Sequence, residues 1–496
     1  MNPIKKIVIL GGGTAGWTTA AVLSSQLHSE LCQIELIESN ECVTIGVGES
    51  TIPPFVRFIQ NLGISETDFI TSTEACYKLG IKFNDWRQKG DSFFHPFGTV
   101  GRHFGLHSFY QCWRKAIENG RDYALLDFSP NAAMAAAGRF FPPQKLRASP
   151  LGGGNYAITM DALRVTAYFR EFAKQRGVKQ IEGHVTQARQ RDNGFIDSLL
   201  LRSGQVVEGD FFVDCTGFNA LLIGQTLGSP FEDWSHFLPC DRAVTVRSEI
   251  NTSPAPFTTM TAQKAGWTWR VPLKNAVGNG YVYSSHFCSD QEAKSLLLRN
   301  LDSLRINEAQ VIPFTPGRRR EVWRNNCLSV GLASGFIEPL ESTAIHLITR
   351  GLDFFLRFFP DRHCDPALIK EYNRRMSLDF EEVRDFVVLH YYGTQRRDTP
   401  FWEHCQASTI PDSLSDRLEL FKAHGHLRQG VDDLFGESSW ITLLEGMGIR
   451  ANNYCPRLDN VDFAEVDHYL SGMRSAIQES VHSLPRYEDY IQRDMV

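Results

Sequence analysis

The chain has 496 residues, 42% hydrophobic and 22% charged, with a formal net charge of −6. That balance belongs to a soluble globular protein of roughly three domain-equivalents and excludes a global basic field for nucleic acid or an anionic membrane. Eleven dispersed cysteines without a C-x-x-C pair exclude a disulfide framework and a zinc site, and no run approaches the eighteen or so apolar residues of a membrane span. The expectation is a cytoplasmic protein with free thiols, no metal, and neither nucleic acid nor membrane as partner.

Residues 5–38 read as a βαβ unit. "KIVIL" is a short buried strand, "TAGWTTAAVLSSQL" has helical periodicity, and "QIELIES" is a second strand. The turn between them is GGGTAG, with Gly11, Gly13 and Gly16 in the G-x-G-x-x-G pattern. Gly11 permits the tight turn, Gly13 lets a pyrophosphate approach the backbone, and Gly16 lets helix and strand pack closely. The helix N-terminus offers unpaired N–H groups and the positive end of a dipole to the phosphates. Glu38, at the end of the second strand, can accept hydrogen bonds from a ribose.

Two later segments look like further pieces of the same nucleotide fold. Residues 177–218 alternate short strands with turns at "DNG" and "SG", then reach an apolar strand ending in Asp214-Cys-Thr-Gly217. Residues 325–359 give a strand, a small-residue turn and a long amphipathic helix. A nucleotide module split by insertions is more characteristic of FAD enzymes than of NAD dehydrogenases. Beyond about residue 350 the chain turns helical, with "PALIKEYNRRMSLDFEEVRDFVVLHYY" as its longest periodic stretch. The expected fold is α/β: a discontinuous FAD-binding Rossmann-like module over 1–350, with substrate-side insertions, and a helical C-terminal cap over 351–496.

"GWTWRVPL" (266–273) raises a separate question. Strand alternation puts the indoles of Trp267 and Trp269 on one face and Thr268 and Arg270 on the other. The pair is either an aromatic core stripe or a rigid wall beside a cofactor or aromatic substrate.

Together these motifs resemble the flavin-dependent halogenases, the family named for tryptophan halogenase. GGGTAGW (11–17) looks like its flavin-binding turn, with a tryptophan the generic fingerprint does not require, and GVGESTIP (46–53) like its second flavin loop. YKLGIKF (77–83) holds Lys78 where the family keeps a catalytic lysine. GWTWRVP matches a W-x-W-x-I-P signature with Val271 for Ile, and EPLESTAI (338–345) looks like the segment of the catalytic glutamate and the halide. The match runs on to RRDTPFW (396–402).

The resemblance implies an oxidoreductase in which reduced FAD, delivered by a separate flavin reductase, and O₂ convert chloride or bromide to hypohalous acid. The acid reaches Lys78, as a haloamine or held by a hydrogen bond, and an electron-rich aromatic ring attacks the halogen while Glu341 stabilises the cation and assists its deprotonation. A haloamine needs a neutral amine, so burial is expected to lower the pKa of Lys78. By the same resemblance the flavin is held by Gly11, Gly13, Thr14, Ala15, Gly16, Glu38, Ser39, Gly48, Glu49, Ser50, Val185 and Ile345. The halide is held by Ser342, Thr343 and Ala344. His95 and Phe97 line the substrate pocket, and Trp267 and Trp269 form a partition between flavin and substrate. Where the family often has glycine, this chain has Ala344, which a backbone donor tolerates if φ stays negative.

The region 446–465 lacks a clear amino-acid clamp of paired tyrosines, so the expected substrate is a small indole-type aromatic without the amino-acid handle, or a larger indole-bearing compound. The alternatives are a free-tryptophan halogenase, an FAD-dependent aromatic hydroxylase and a non-catalytic flavoprotein. A homodimer is an open option.

Overall fold

The computed structural model describes residues 2–41 and 48–493. Two compact, discontinuous units make up the chain. The first gathers Met1–Glu74, Met160–Ser235 and Phe314–Glu381; the second gathers Ala75–Thr159, His236–Pro313 and Glu382–Val496.

In the first unit the strand Lys6–Leu10 lies inside a six-stranded sheet, between Gln33–Glu38 and Phe211–Asp214 and parallel to both. Lys179–Glu182 extends the sheet on one side, and Cys327–Ser329 with Trp323–Arg324 on the other. Ile7, Val8 and Ile9 are wholly buried, as an apolar strand covered on both faces must be. The helix Thr14–Gln26 follows the first strand and packs against Ala162–Lys174. The expected meander is present as Val185–Gln190, Ile196–Leu201 and Val206–Glu208, feeding the strand Phe211–Asp214. Asp214 is wholly buried, and its carboxylate accepts from the backbone N–H groups of Thr216, Leu222 and Ile223 and from the Thr216 hydroxyl. It thereby organises the turn that follows.

In the second unit a seven-stranded sheet runs in the order Gln310–Pro313, Arg242–Ser248, Val277–Tyr283, Gly266–Pro272, Thr258–Gln263, Gly80–Asn84, Ser92–Pro96. Every pairing is antiparallel except Thr258–Gln263 with Gly80–Asn84. The tryptophan-rich octapeptide therefore supplies the middle strand. A separate short pairing sets Lys78, at the end of Cys76–Lys78, opposite Ala157. Helices dominate beyond residue 350: Pro366–Tyr392, Pro400–Ala407, Asp412–His424, Glu437–Gly446, Phe463–His482 and Tyr487–Arg493. Among the described residues no helix is long and apolar enough to cross a membrane.

Candidate active site

The residues expected to hold the flavin all belong to the first unit. Gly11 has φ +112°, a value that L side chains avoid, and a Cβ there would drive into the carbonyl of Cys215. A Cβ on Gly16 would strike the carbonyl oxygen of Gly11, so the helix can approach the strand only as glycine. Gly13 differs from both. It is the N-cap of the helix, no side chain caps it, and among the described residues a Cβ would meet nothing within 4 Å. The first-turn N–H groups of Thr14, Ala15 and Gly16 thus lie beside open space, which is what a pyrophosphate needs. Gly331, in the turn after Cys327–Ser329, has φ +73°, and a Cβ there would come within 2.8 Å of the Ala15 methyl. That near-contact shows how closely the third segment closes on the turn.

Trp17 accounts for the tryptophan that the generic fingerprint does not require. It is wholly buried, its indole Nε1 donates to Glu38 at 3.2 Å, and the Arg170 guanidinium lies 5.3 Å from its ring centre. Glu38 also accepts from Arg170 and Gln180. Three donors thus fix the carboxylate at this strand end. The Ser39 hydroxyl accepts from the N–H of Glu41, and Val185 packs against the core beneath the meander. In the expected second flavin loop Gly48, Glu49 and Ser50 form a short strand, whereas Gly46 and Val47 lie outside the described residues. Burial pushes the Glu49 carboxyl up to about 7. The open helix end, the glycines and Glu38 fit FAD.

The segment 338–345 turns sharply into a helix. Pro339–Glu341 is a single 3₁₀ turn, Ser342 has φ +61°, Thr343 is the N-cap, and Ala344–Arg357 follows. The left-handed strain therefore falls on Ser342; Ala344 begins the helix and is absent from the residues with positive φ. The expected condition on Ala344 is met. Thr343 is buried, and among the described residues its Oγ1 has no hydrogen-bond partner. A buried hydroxyl without an acceptor, at an uncapped helix N-terminus, fits an anion such as a halide. Ile345 is buried in the first turn. Glu341 is 1% exposed, and Glu338 beside it is wholly buried.

Glu338 and His346 escaped the sequence reading. Burial, with the Arg350 charge, lowers the His346 imidazole to about 3, so it is neutral at working pH. Its position three residues after Thr343, one helical turn on, was the available signal.

Lys78 and the residues expected to line the substrate pocket belong to the second unit. Lys78 has no exposure at all, and its Nζ lies 5.1 Å from the centre of the Phe97 ring. His95 and Phe97 are buried, with ring centres 6.4 Å apart, and His95 also lies 5.5 Å from Phe386 and 6.5 Å from Phe435. The predicted wall residues are thus gathered in one aromatic region. Trp267 and Trp269 do share a face, at 6.0 Å and tilted by 53°. Their surroundings differ. Trp267 is wholly buried against Trp86 and donates to the Tyr391 hydroxyl, which gives it core character. Trp269 is half-buried, beside Val271, Leu273 and Ala276.

The geometry meets close counterparts among known proteins. The family model described as Tryptophan halogenase matches residues 6–463. A flavin-dependent halogenase of Xanthomonas campestris is 42% identical, with a TM-score of 0.95, covering 99% of this chain and 98% of that one. A flavin-dependent halogenase of a Brevundimonas species is 38% identical, again with a TM-score of 0.95 and 99% of each chain covered. The tryptophan 6-halogenase ThaL of Streptomyces albogriseolus is 33% identical over 99% of both chains. The chain belongs to the tryptophan halogenase family and is an enzyme of the flavin-dependent halogenase kind.

Proposed function

We propose that this enzyme halogenates an electron-rich, indole-type aromatic compound other than free tryptophan, with Lys78 presenting the halogen and Glu341 serving the ring. Bound reduced FAD, from a separate reductase, together with O₂ supplies the oxidising power that turns halide into hypohalous acid. The uncapped turn at Gly13 to Gly16 binds the pyrophosphate, Glu38 orients the ribose, and Thr343 with the helix N-terminus behind it holds the halide. Lys78 receives the hypohalous acid. The aromatic ring takes the halogen from HOX and hydroxide leaves; Glu341 takes the ring proton and passes it to that hydroxide, so the aromatic C–H and HOX become C–X and water.

The observation that carries the reading is the complete burial of Lys78 over an aromatic ring. A lysine with an ordinary surface role keeps its ammonium in water. Here the amine is removed from water, and the site excludes side reactions with solvent. A carboxylate as buried as Glu341 interacts more strongly with the developing arenium charge than with the neutral ring, and that difference is what accelerates a reaction. The substrate class rests on the region after Gly446. There the Tyr454 hydroxyl is spent on Asp459, and Pro456–Asn460 forms a largely exposed 3₁₀ turn, so neither offers the paired clamp of an amino-acid backbone.

The test is a panel of indoles, pyrroles and phenols, with L-tryptophan included, assayed with a flavin reductase and chloride or bromide and read by mass. Free indoles should gain halogen, Lys78→Met should abolish it, and Glu341→Gln should lower turnover by about 10²-fold or more while keeping FAD affinity. Tight, stereoselective use of L-tryptophan would overturn the substrate class. A fully active Glu341→Gln would remove the carboxylate from the mechanism. An ordinary amine pKa on titration leaves Lys78 holding HOX by a hydrogen bond, with no haloamine.

A further inference from the structure

We propose that the C-terminal segment 484–491 is part of the halogenating apparatus, with Tyr487 as a positioning residue that fixes the peptide on which Lys78 stands. The inference rests on the role proposed above for Lys78. It concerns a part of the chain beyond residue 463, where the match to the family model ends.

The strand Cys76–Lys78 is three residues long and lies at the edge of its small sheet, paired on one side only. An edge strand leaves outward-facing carbonyl groups to be satisfied by other means, and in a buried place they must be satisfied. Tyr487 does this for the residue next to the lysine. Its hydroxyl, 410 residues away in sequence, donates to the carbonyl of Tyr77 at 2.7 Å, and the side chain is 2% exposed. Burial holds that hydroxyl well above its ordinary pKa, so it remains a donor at any working pH. The Tyr77 ring is gripped as well: it stacks on Phe140 at 4.5 Å and meets Tyr490 edge-on at 5.5 Å.

The segment is itself tied down by backbone. The N–H of Tyr487 donates to Gly138, the N–H of Phe140 donates to Pro485, and the Arg139 guanidinium donates to the carbonyl of Leu484. On the far side of Lys78, the carbonyl of Leu79 accepts from the buried Asn131 amide at 2.7 Å and from the N–H of Phe97 at 2.9 Å. The peptide group before Lys78 is therefore pinned by the C-terminal helix, and the one after it, whose Leu79 N–H donates to the Pro256 carbonyl at 2.7 Å, by the body of the unit. A lysine has four rotatable carbons, so the precision of its amine depends on the backbone beneath it and on packing around its stem. Misplacement of a reacting group by 1 Å can cost about 10²-fold.

The experiment is Tyr487→Phe in the full-length enzyme, with FAD, reductase, bromide and indole. Two products are measured per reduced flavin consumed: bromoindole, and free hypobromous acid trapped by taurine. The expected result is at least a tenfold fall in the ratio of bromoindole to trapped acid, with FAD affinity and flavin consumption unchanged. The double variant with Lys78→Met should be indistinguishable from Lys78→Met alone, because Tyr487 acts through that lysine. A wild-type ratio in Tyr487→Phe overturns the inference, and so does a further loss in the double variant. If Lys78→Met by itself keeps the wild-type ratio, it is the lysine reading that fails. Should Tyr487→Phe not fold, Tyr490→Leu loosens the same helix and leaves the hydroxyl in place; it should lower the ratio in the same direction, and no change there overturns the proposal.

Discussion

At the residue scale, two titratable groups beside the proposed flavin and halide sites are displaced in opposite senses. His346 is driven down to about 3 from its ordinary 6.5, by burial first and the Arg350 charge second. Below pH 6.5 the unfolded chain takes up a proton that the folded imidazole refuses, so the folded state loses stability as pH falls from 6.5 towards 3, and nothing is lost above 6.5. Glu49 is pushed by burial from 4.5 to about 7. The folded state holds a proton there that the unfolded chain releases, so this contribution is fully present below pH 4.5 and is lost as pH rises through 7. Relative to wild type, His346→Gln should therefore become more stable as pH is lowered from 6.5, and Glu49→Gln as pH is raised from 4.5. Each difference has a slope of at most about 1.4 kcal/mol per pH unit. Calorimetric melting from pH 4.5 to 8 checks both, and slopes of equal sign would contradict the assignment.

At the scale of the element, the middle strand Gly266–Pro272 answers the question its tryptophans posed. Trp267 is locked by Trp86 and Tyr391 and belongs to the core. Trp269 has room for its indole because its register partner on the next strand is Gly280. A Cβ at Gly280 would drive into the edge of the Trp269 ring. Gly280→Ala should therefore cost about 1–3 kcal/mol through overpacking and shift the Trp269 indole. Chemical denaturation gives the cost, and indole fluorescence against a Trp269→Phe control shows whether that ring moved. The alternation of this strand was legible from eight residues because its period is local. Its glycine partner was not, since register with residues 277–283 depends on the rest of the sheet. The flavin turn was legible for the same local reason: strand, glycines, helix and acid follow one another within 38 residues. The Tyr487 hydroxyl on Tyr77 joins stretches 410 residues apart that carry no shared pattern.

At the scale of the whole molecule, each unit is assembled from three separated stretches of chain. Closing such long loops costs entropy that only the finished unit recovers, so a ligand that binds the finished nucleotide unit should raise its melting temperature. At a concentration of 100 Kd, FAD would add about 2.7 kcal/mol to the folded state. Gly13 separates this linkage from the fold itself. Because φ there is −78° and a Cβ would meet no atom of the described residues within 4 Å, Gly13→Ala costs the ligand-free protein at most about 1 kcal/mol, the difference between glycine and alanine as a helix cap. The same methyl group enters the space in which a pyrophosphate would meet the first-turn N–H groups. Gly16→Ala has the opposite character, since its methyl would strike the Gly11 carbonyl in the ligand-free protein. Thermal melts with and without FAD should therefore show three patterns: a high baseline with a large rise for wild type, a high baseline with a rise reduced by several degrees for Gly13→Ala, and a lowered baseline for Gly16→Ala. If Gly13→Ala keeps the full rise, the pyrophosphate does not lie on this turn, and the open space beside the helix N-terminus has some other use.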